Sequence, residues 1–289
     1  MHGRLTESPN TAPSAEMAPV RQRSDGRVQL RVGPAEVGGA TRILDLSEAG
    51  PSRLRFPRGE GALEAVLVNT AGGVACGDTF SIALEVEPAG DLVLTTTAAE
   101  KIYRSDGPVS RIANRLSLAA EARLAWLPQE TILFDRARVR RCFEADLAPD
   151  AALLAVEIVA FGRAARGERI TAGLFADTWR VRRAGRLVYA DDFVVDGPIS
   201  ELLARPAIGG GARACATVLD VSPGAEARLE EARALLAEAG RPGIESAASA
   251  WNGHLVMRAL ADRVGPLRAL MAHVLAGYRG LPMPRVWQS

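Results

Sequence analysis

Five carboxylates in this 289-residue sequence stand beside small-residue turns or on apolar strand-like runs: Asp78, Glu100, Glu130, Glu157 and Asp191. Oxygen donors of this kind hold a borderline transition metal loosely compared with thiolate or imidazole, which suits passage better than storage. The histidines, His2, His254 and His273, do not pair at ligand spacing with each other or with a cysteine. Cys76, Cys142 and Cys215 are far apart, odd in number and form no C-x-x-C, which argues against a disulfide framework or a thiolate zinc site. No G-x-S-x-G, H-E-x-x-H, dinucleotide-binding or kinase signature is present. A hydrolase built on the acidic residues would need two of them facing each other across a cavity. The residues alone describe a β-rich protein without a recognisable catalytic centre.

The stretch 68–104 gathers most of the unusual chemistry. A knot of small residues containing Gly72, Gly73 and Gly77 lies between two apolar segments, 62–70 and 79–86. Gly72-x4-Gly77 has the outer spacing of a phosphate-binding loop, but Asp78 stands where that loop needs lysine and would repel phosphate. A tight glycine turn between strands is the better structural account. It leaves unexplained why Asp78, Glu100, Lys101, Tyr103 and Arg104 crowd around two strand ends. Lys101 is the only lysine in the chain; a coding bias toward arginine is the plain cause.

Elements that could position these groups follow from periodicity. Alternation marks strands at 27–32 (Val28, Leu30, Val32) and 79–86 (Ile82, Leu84, Val86), with further short strands at 41–46 and 92–97 and around Ile112–Leu118 and Leu124–Trp126. Residues 50–61 are Pro/Gly-rich and read as loop. Pro128-Gln129-Glu130 interrupts a strand that resumes at 131–134. Residues 136–141 carry four arginines around Ala137 and Val139, by default a solvated face, with an acidic partner surface as the alternative. The run 151–161 is apolar on both faces except for Glu157, which shares a face with Leu153, Ala155, Val159 and Phe161. A carboxylate there must be paired, protonated or facing water. Two readings stand: an ion pair to an arginine, or the wall of a water-filled cavity or channel. Residues 177–183 and 185–190 read as a hairpin with Trp179, Val181, Leu187 and Tyr189 inward, closed by Asp191-Asp192.

The last third changes style. A strand at 213–221 leads to Ser222-Pro223, an N-cap and first-turn proline for a helix with Leu229, Ala232, Leu235, Leu236 and Ala239 on one face. Two strands, 244–251 and 254–260, follow around an Asn252-Gly253 turn. Leu267, Leu270, Met271, Val274, Leu275 and Tyr278 then fall at 0, 3, 4, 7, 8 and 11, a strong amphipathic helix beside which His273 reads as structural. The fold class is therefore mainly β, many short strands in a superhelical or stacked-sheet architecture, with a C-terminal β-α-β-β-α unit, α+β overall. The expected division is a disordered tail at 1–25, a β-rich domain at 26–205 and a C-terminal subdomain at 206–289 packed on it.

Composition is ordinary for a soluble globular chain: 48% hydrophobic, 24% charged, net charge +1. No global field favours nucleic acid, and no apolar run is long enough to cross a membrane. A reduced, cytoplasmic protein is expected.

The segments N-T-A-G-G-V-A-C-G-D (69–78), T-T-T-A-A-E-K-I-Y-R-S (95–105), W-L-P-Q-E-T-I-L-F-D (126–135), L-L-A-V-E-I-V-A-F-G-R (153–163), G-E (167–168), W-R-V-R-R-A-G-R-L-V (179–188) and the closing L-P-M-P-R-V-W resemble the urease accessory protein UreD, or UreH, family. They run in order from about residue 27 to the end. The resemblance implies a non-enzymatic chaperone of urease maturation that binds the urease apoprotein and a UreF-like protein, which recruits a UreG-like GTPase; a dimer of heterodimers in the complex is implied as well. It implies no permanent cofactor, but transient nickel travelling through an acidic-lined tunnel toward the urease active site. The family's acidic tunnel positions fall on Asp78, Glu157 and Asp191, with Glu100 in the second motif; Gly72, Gly73, Gly77, Lys101, Tyr103, Arg104 and Glu130 belong to the motifs as structural positions. A scaffold whose carboxylates are merely ion-paired is the other reading. Cys76 departs from the family's usual glycine and Thr97 from its common glutamine; Cys76 reads as a small buried filler, with sulfur ligation of nickel as the alternative.

Overall fold

The structure, a computed structural model, describes residues 23–36, 38–59 and 61–288. The disordered tail expected at 1–25 lies outside the described residues as far as residue 22, and its last residue, Asp25, already opens a strand.

Among the described residues seventeen strands form two sheets, and the chain passes back and forth between them. It enters a seven-stranded sheet with β1 (Asp25–Pro34) and β2 (Thr41–Ala49), then crosses to a ten-stranded sheet with β3 (Ser52–Arg55) and β4 (Leu63–Asn69). From there β5 (Thr79–Val86) lies in the first sheet, and β6 (Asp91–Thr96) and β7 (Glu100–Ile102) in the second. Next come β8 (Ser110–Leu118) in the first, β9 (Arg123–Leu127) and β10 (Thr131–Leu133) in the second, β11 (Arg138–Leu147) in the first and β12 (Ala152–Phe161) in the second. The hairpin β13 (Leu174–Arg183) and β14 (Arg186–Asp196) completes the first. Strands β5, β8, β11 and β13 are parallel neighbours, as are β4, β6, β9 and β12. This is a stacked, solenoid-like β architecture, as the pattern of short strands predicts.

Period-two patterning drives it. In register, Leu30 faces Leu84, Leu84 faces Leu116, Leu116 faces Ala145 and Ala145 faces Val181, so one inward row runs from strand to strand. All of these residues are buried in one inter-sheet cluster with Leu92, Leu94, Leu124, Trp126 and Leu153 from the facing sheet. Each fully buried Leu contributes roughly 2 kcal/mol of hydrophobic stabilisation.

The C-terminal third adds a short helix, α1 (Ile199–Ala204), then β15 (Ala214–Asp220), α2 (Leu229–Glu238), β16 (Ile244–Trp251), β17 (His254–Ala261) and α3 (Val264–Arg279). The β-α-β-β-α order is as expected. Its strands join the ten-stranded sheet, because β15 pairs antiparallel with β12. Helices α2 and α3 cover that sheet together, burying Ala232, Leu236, Leu267, Leu270, Met271, Val274, Leu275 and Tyr278. Both residues of the Asn252-Gly253 turn have positive φ, 52° and 81°, the geometry a two-residue hairpin requires. Trp287 pins the chain end: its indole N–H donates to the Leu127 carbonyl at 3.1 Å and lies 3.2 Å from Thr95 Oγ1.

Several local expectations are corrected. The segment 50–61 is not all loop, since Ser52–Arg55 pairs with β4 and buries Leu54 between its arginines. Strand β2 runs three residues beyond the expected 46, to Ala49. Leu187 points outward and is 45% exposed, because a register shift after Val181 sets Arg182 opposite Leu187 and reverses the alternation. Asp191-Asp192 lies inside β14, opposite Trp179 and Thr178, and does not close the hairpin. Ser222 does not cap α2 through its side chain; a single 3-10 turn, Ala225–Arg228, intervenes. Helix α1 was not legible from periodicity. His273 stands half exposed, 3.7 Å from Glu238.

A carboxylate-lined cleft as the candidate functional site

Where the two sheets meet near β14 and β16, they leave a cleft of about 570 Å³. Its wall includes Glu157, Asp177, Asp191, Cys215, Glu245 and Arg258, set among Val159, Phe175, Trp179 and Phe193. Strand pairing sets these positions. Glu157 of β12 lies directly opposite Thr217 of β15, with Val159 opposite Cys215 on the same face two residues on. Asp177 lies on the inward face of β13 with Trp179 and Val181, next to Arg141 of β11 in register.

At the base of the cleft one guanidinium joins two carboxylates. Arg141 Nη1 donates to Glu157 Oε1 at 2.5 Å and to Thr131 Oγ1 at 2.9 Å; Nη2 donates to Asp177 Oδ2 at 2.6 Å. Thr131 Oγ1 lies 3.2 Å from Glu157 Oε1, and the Trp179 indole N–H donates to Asp177 Oδ2 at 3.1 Å. The guanidinium also stands 5.0 Å from the Phe175 ring centroid. All three charged side chains are nearly buried, with Arg141 7%, Asp177 10% and Glu157 14% exposed. Glu157 is ion-paired, one of the two readings of the sequence, and it also borders the cleft.

Arg141 corrects the reading of 136–141 as a solvated face. Ala137, Val139, Arg141 and Phe143 form the inward row of that segment, while Arg136 and Arg140 point to solvent. A run of arginines masked an ordinary alternation.

Electrostatics at the base follow from two acids sharing one base. Burial pushes the Glu157 carboxyl above its usual range, Arg141 opposes that shift, and the Asp177 charge adds to it. With both acids ionised the group carries a net charge of −1 inside largely apolar walls, which favours a proton or a cation at Glu157. The Cys215 thiol is pushed up to about 12, chiefly by burial, so it is neutral near pH 7. At the rim, Asp191 Oδ2 accepts from Arg258 Nη2 at 2.8 Å and from the Tyr189 hydroxyl at 3.2 Å. Among the described residues, no three His, Cys, Asp or Glu side chains converge as a metal cage. The cleft wall carries carboxylate oxygens, a donor type that holds a borderline divalent ion more loosely than thiolate or imidazole does.

A family model described as UreD urease accessory protein matches residues 24–288. The chain belongs to the UreD family of urease accessory proteins. It is similar to urease accessory protein UreD 1 of Methylobacterium radiotolerans, 76% identical over 289 residues and covering 100% of both chains. It is likewise similar to UreD 2 of Methylorubrum populi, 61% identical over 289 residues (99% of this chain, 95% of the relative). UreD of Xanthobacter autotrophicus is 53% identical over 281 residues, 97% of this chain and 95% of the relative. Membership implies a role in urease maturation.

The UreD-motif residues fall into separate places. Glu157 and Asp191 line the cleft; Asp78 and Glu100 do not. Asp78 is buried and organises the glycine knot, accepting from the Ser24 and Ala75 amides at 2.8 Å each. Glu100 sits under the knot, 3.3 Å from the Asn69 side-chain amide, and burial raises its carboxyl to about 7. Gly73 has φ 154°, and a Cβ there would stand 2.5 Å from Tyr103 Cε2, so only glycine fits. Gly72 and Gly77, at φ 75° and 78°, make the turns on either side. The Tyr103 hydroxyl donates to the Gly72 carbonyl at 3.0 Å and its ring packs edge-on against Phe134. Lys101 and Arg104 are exposed. Glu130 pairs with Arg268 of α3 at 3.4 Å, tying the Pro128-Gln129-Glu130 interruption to the C-terminal unit. Cys76 is buried with its sulfur 2.9 Å from Asp106 Oδ1 and 3.1 Å from Ser105 Oγ.

Sequence reasoning missed Arg141, Asp177, Cys215 and Arg258. Asp177 carried a readable signal: it shares the inward parity of Trp179 and Val181, as Glu157 does on its own strand.

Proposed function

We propose that this chain is a non-catalytic chaperone of urease maturation that passes nickel to the urease apoprotein through the inter-sheet cleft. One observation carries the reading: the base of the cleft presents Glu157 and Asp177, two nearly buried carboxylates held by a single arginine and still lining open space. Nickel is cargo here. Carboxylate oxygens match a hydrated divalent ion, and a donor set this small releases it readily. In this reading Glu157 is a step on the route and Asp191 lies at its rim, while Asp78 and Glu100 shape the glycine knot. A UreF-like protein binds the chain and brings a UreG-like GTPase, in a cytoplasmic complex that pairs two such heterodimers.

A second reading is favoured by the ion pairing itself. Arg141 compensates one of the two buried charges and Arg258 pairs with Asp191, so these acids also serve a scaffold with no metal route. Co-expression of urease subunits and UreE-, UreF- and UreG-like proteins in nickel medium, with and without this chain, tests the maturation role. Glu157→Ala tests the route: activation falls while the complex stays intact. Normal activation by Glu157→Ala supports the scaffold.

A further inference from the structure

We infer that Arg141 is a positioning residue for cation passage: it fixes the two carboxylates at the base of the cleft and keeps their hold on a divalent ion weak. The inference rests on the cleft being the nickel route. Arg141 spends Nη1 on Glu157 Oε1 and Nη2 on Asp177 Oδ2. Glu157 Oε2 and Asp177 Oδ1 are not tied by this clamp, and both residues line the open space. One planar guanidinium therefore sets the direction of both carboxylates from two separate nitrogens, a fixed geometry that the single rotatable nitrogen of an ammonium lacks. The same charge stands within hydrogen-bonding distance of both acids, so an incoming divalent ion meets a net −1 rather than −2. Like-charge repulsion between guanidinium and metal at short range in a buried site weakens binding. Thr131 and the Phe175 ring contact the guanidinium, and Trp179 holds Asp177, so the clamp is braced on both sides.

The consequence is a separation of affinity from throughput. Removing the guanidinium should make the full chain bind nickel more tightly and release it more slowly. The test titrates full-length protein with nickel chloride against a chromogenic chelator, recording affinity and release rate for wild type, Arg141→Met, Arg141→Lys and Arg141→Met/Glu157→Gln, each checked for native circular dichroism. Arg141→Met is expected to bind nickel on the order of tenfold tighter or more, with slower release. Adding Glu157→Gln should cancel that gain. Arg141→Lys keeps the charge without the two-armed clamp and should give an intermediate rise; it decides the matter if the Met variant fails to fold. Wild-type affinity and release rate in folded Arg141→Lys or Arg141→Met overturn the inference. A Glu157→Gln/Asp177→Asn variant in the wild-type Arg141 background separates the two levels. If it delivers nickel to urease normally, the route itself is wrong; if delivery falls while the Arg141 variants bind nickel as wild type does, only the role of Arg141 fails.

Discussion

Glu100 gives the clearest pH-dependent prediction. Burial under the glycine knot raises its carboxyl from the ordinary 4.5 to about 7, against weaker opposing hydrogen bonds from Asn69 and the Lys101 amide. The folded state therefore holds a proton that the unfolded chain has lost across that window. Since the folded pKa is the higher, this group's stabilisation is fully present below about pH 4.5 and is lost as pH rises through about 7. The shift corresponds to about 3 kcal/mol at most, and partial exposure lowers it. Glu100→Gln keeps an acceptor for the Asn69 amide and removes the ionisation. At pH 8 it should raise the melting temperature by roughly 2–5 °C, taking about 2 °C per kcal/mol for a chain of this size. At pH 4, below the unfolded value, the variant and wild type should melt nearly together. The assay is thermal unfolding by circular dichroism from pH 4 to 8. A Glu100→Gln variant that melts with the same offset from wild type at every pH would refute the reasoning, because a burial-raised carboxyl cannot give a flat difference.

Other perturbations follow from the same structure. Gly73→Ala places a Cβ 2.5 Å from Tyr103 and 2.7 Å from the Lys101 carbonyl oxygen, and should cost roughly 3 kcal/mol in denaturant unfolding. Arg141→Met strands two buried carboxylates and should cost about 3–5 kcal/mol at pH 8. Glu157→Gln leaves Arg141 paired with Asp177 and Thr131 and should cost no more than about 1 kcal/mol; equal losses in these two variants would contradict the shared clamp. Trp287→Ala empties a pocket against Leu127 and Thr95, and a loss of about 3–5 kcal/mol is expected by urea denaturation.

Local geometry was legible where one strand or helix decides it. The alternation of β5, the Asn252-Gly253 turn and the apolar stripe of α3 are all as the sequence predicts, because each depends on neighbours within one element. The clamp was not legible. Glu157, Arg141 and Asp177 meet only because β11 pairs in parallel with β13 and faces β12 across the sheets, and no spacing in the sequence encodes that register. Glu157 was conspicuous as a lone acid on an apolar face; Arg141 was hidden among exposed arginines of the same segment. Leu187 was misplaced because a one-residue register shift reverses which face a side chain takes. The motif acids illustrate a further limit: Asp78 and Glu157 are both buried carboxylates, yet one receives backbone amides in a turn and the other borders a cleft.

The most direct test of the central claim is nickel per urease active site after maturation in cells carrying the wild-type chain or Glu157→Ala, with recovery of the intact accessory complex measured in parallel. Passage through the cleft predicts a marked fall in nickel content and urea hydrolysis with undiminished complex. Full nickel loading by the variant in an intact complex would contradict the route and leave these carboxylates as parts of a scaffold.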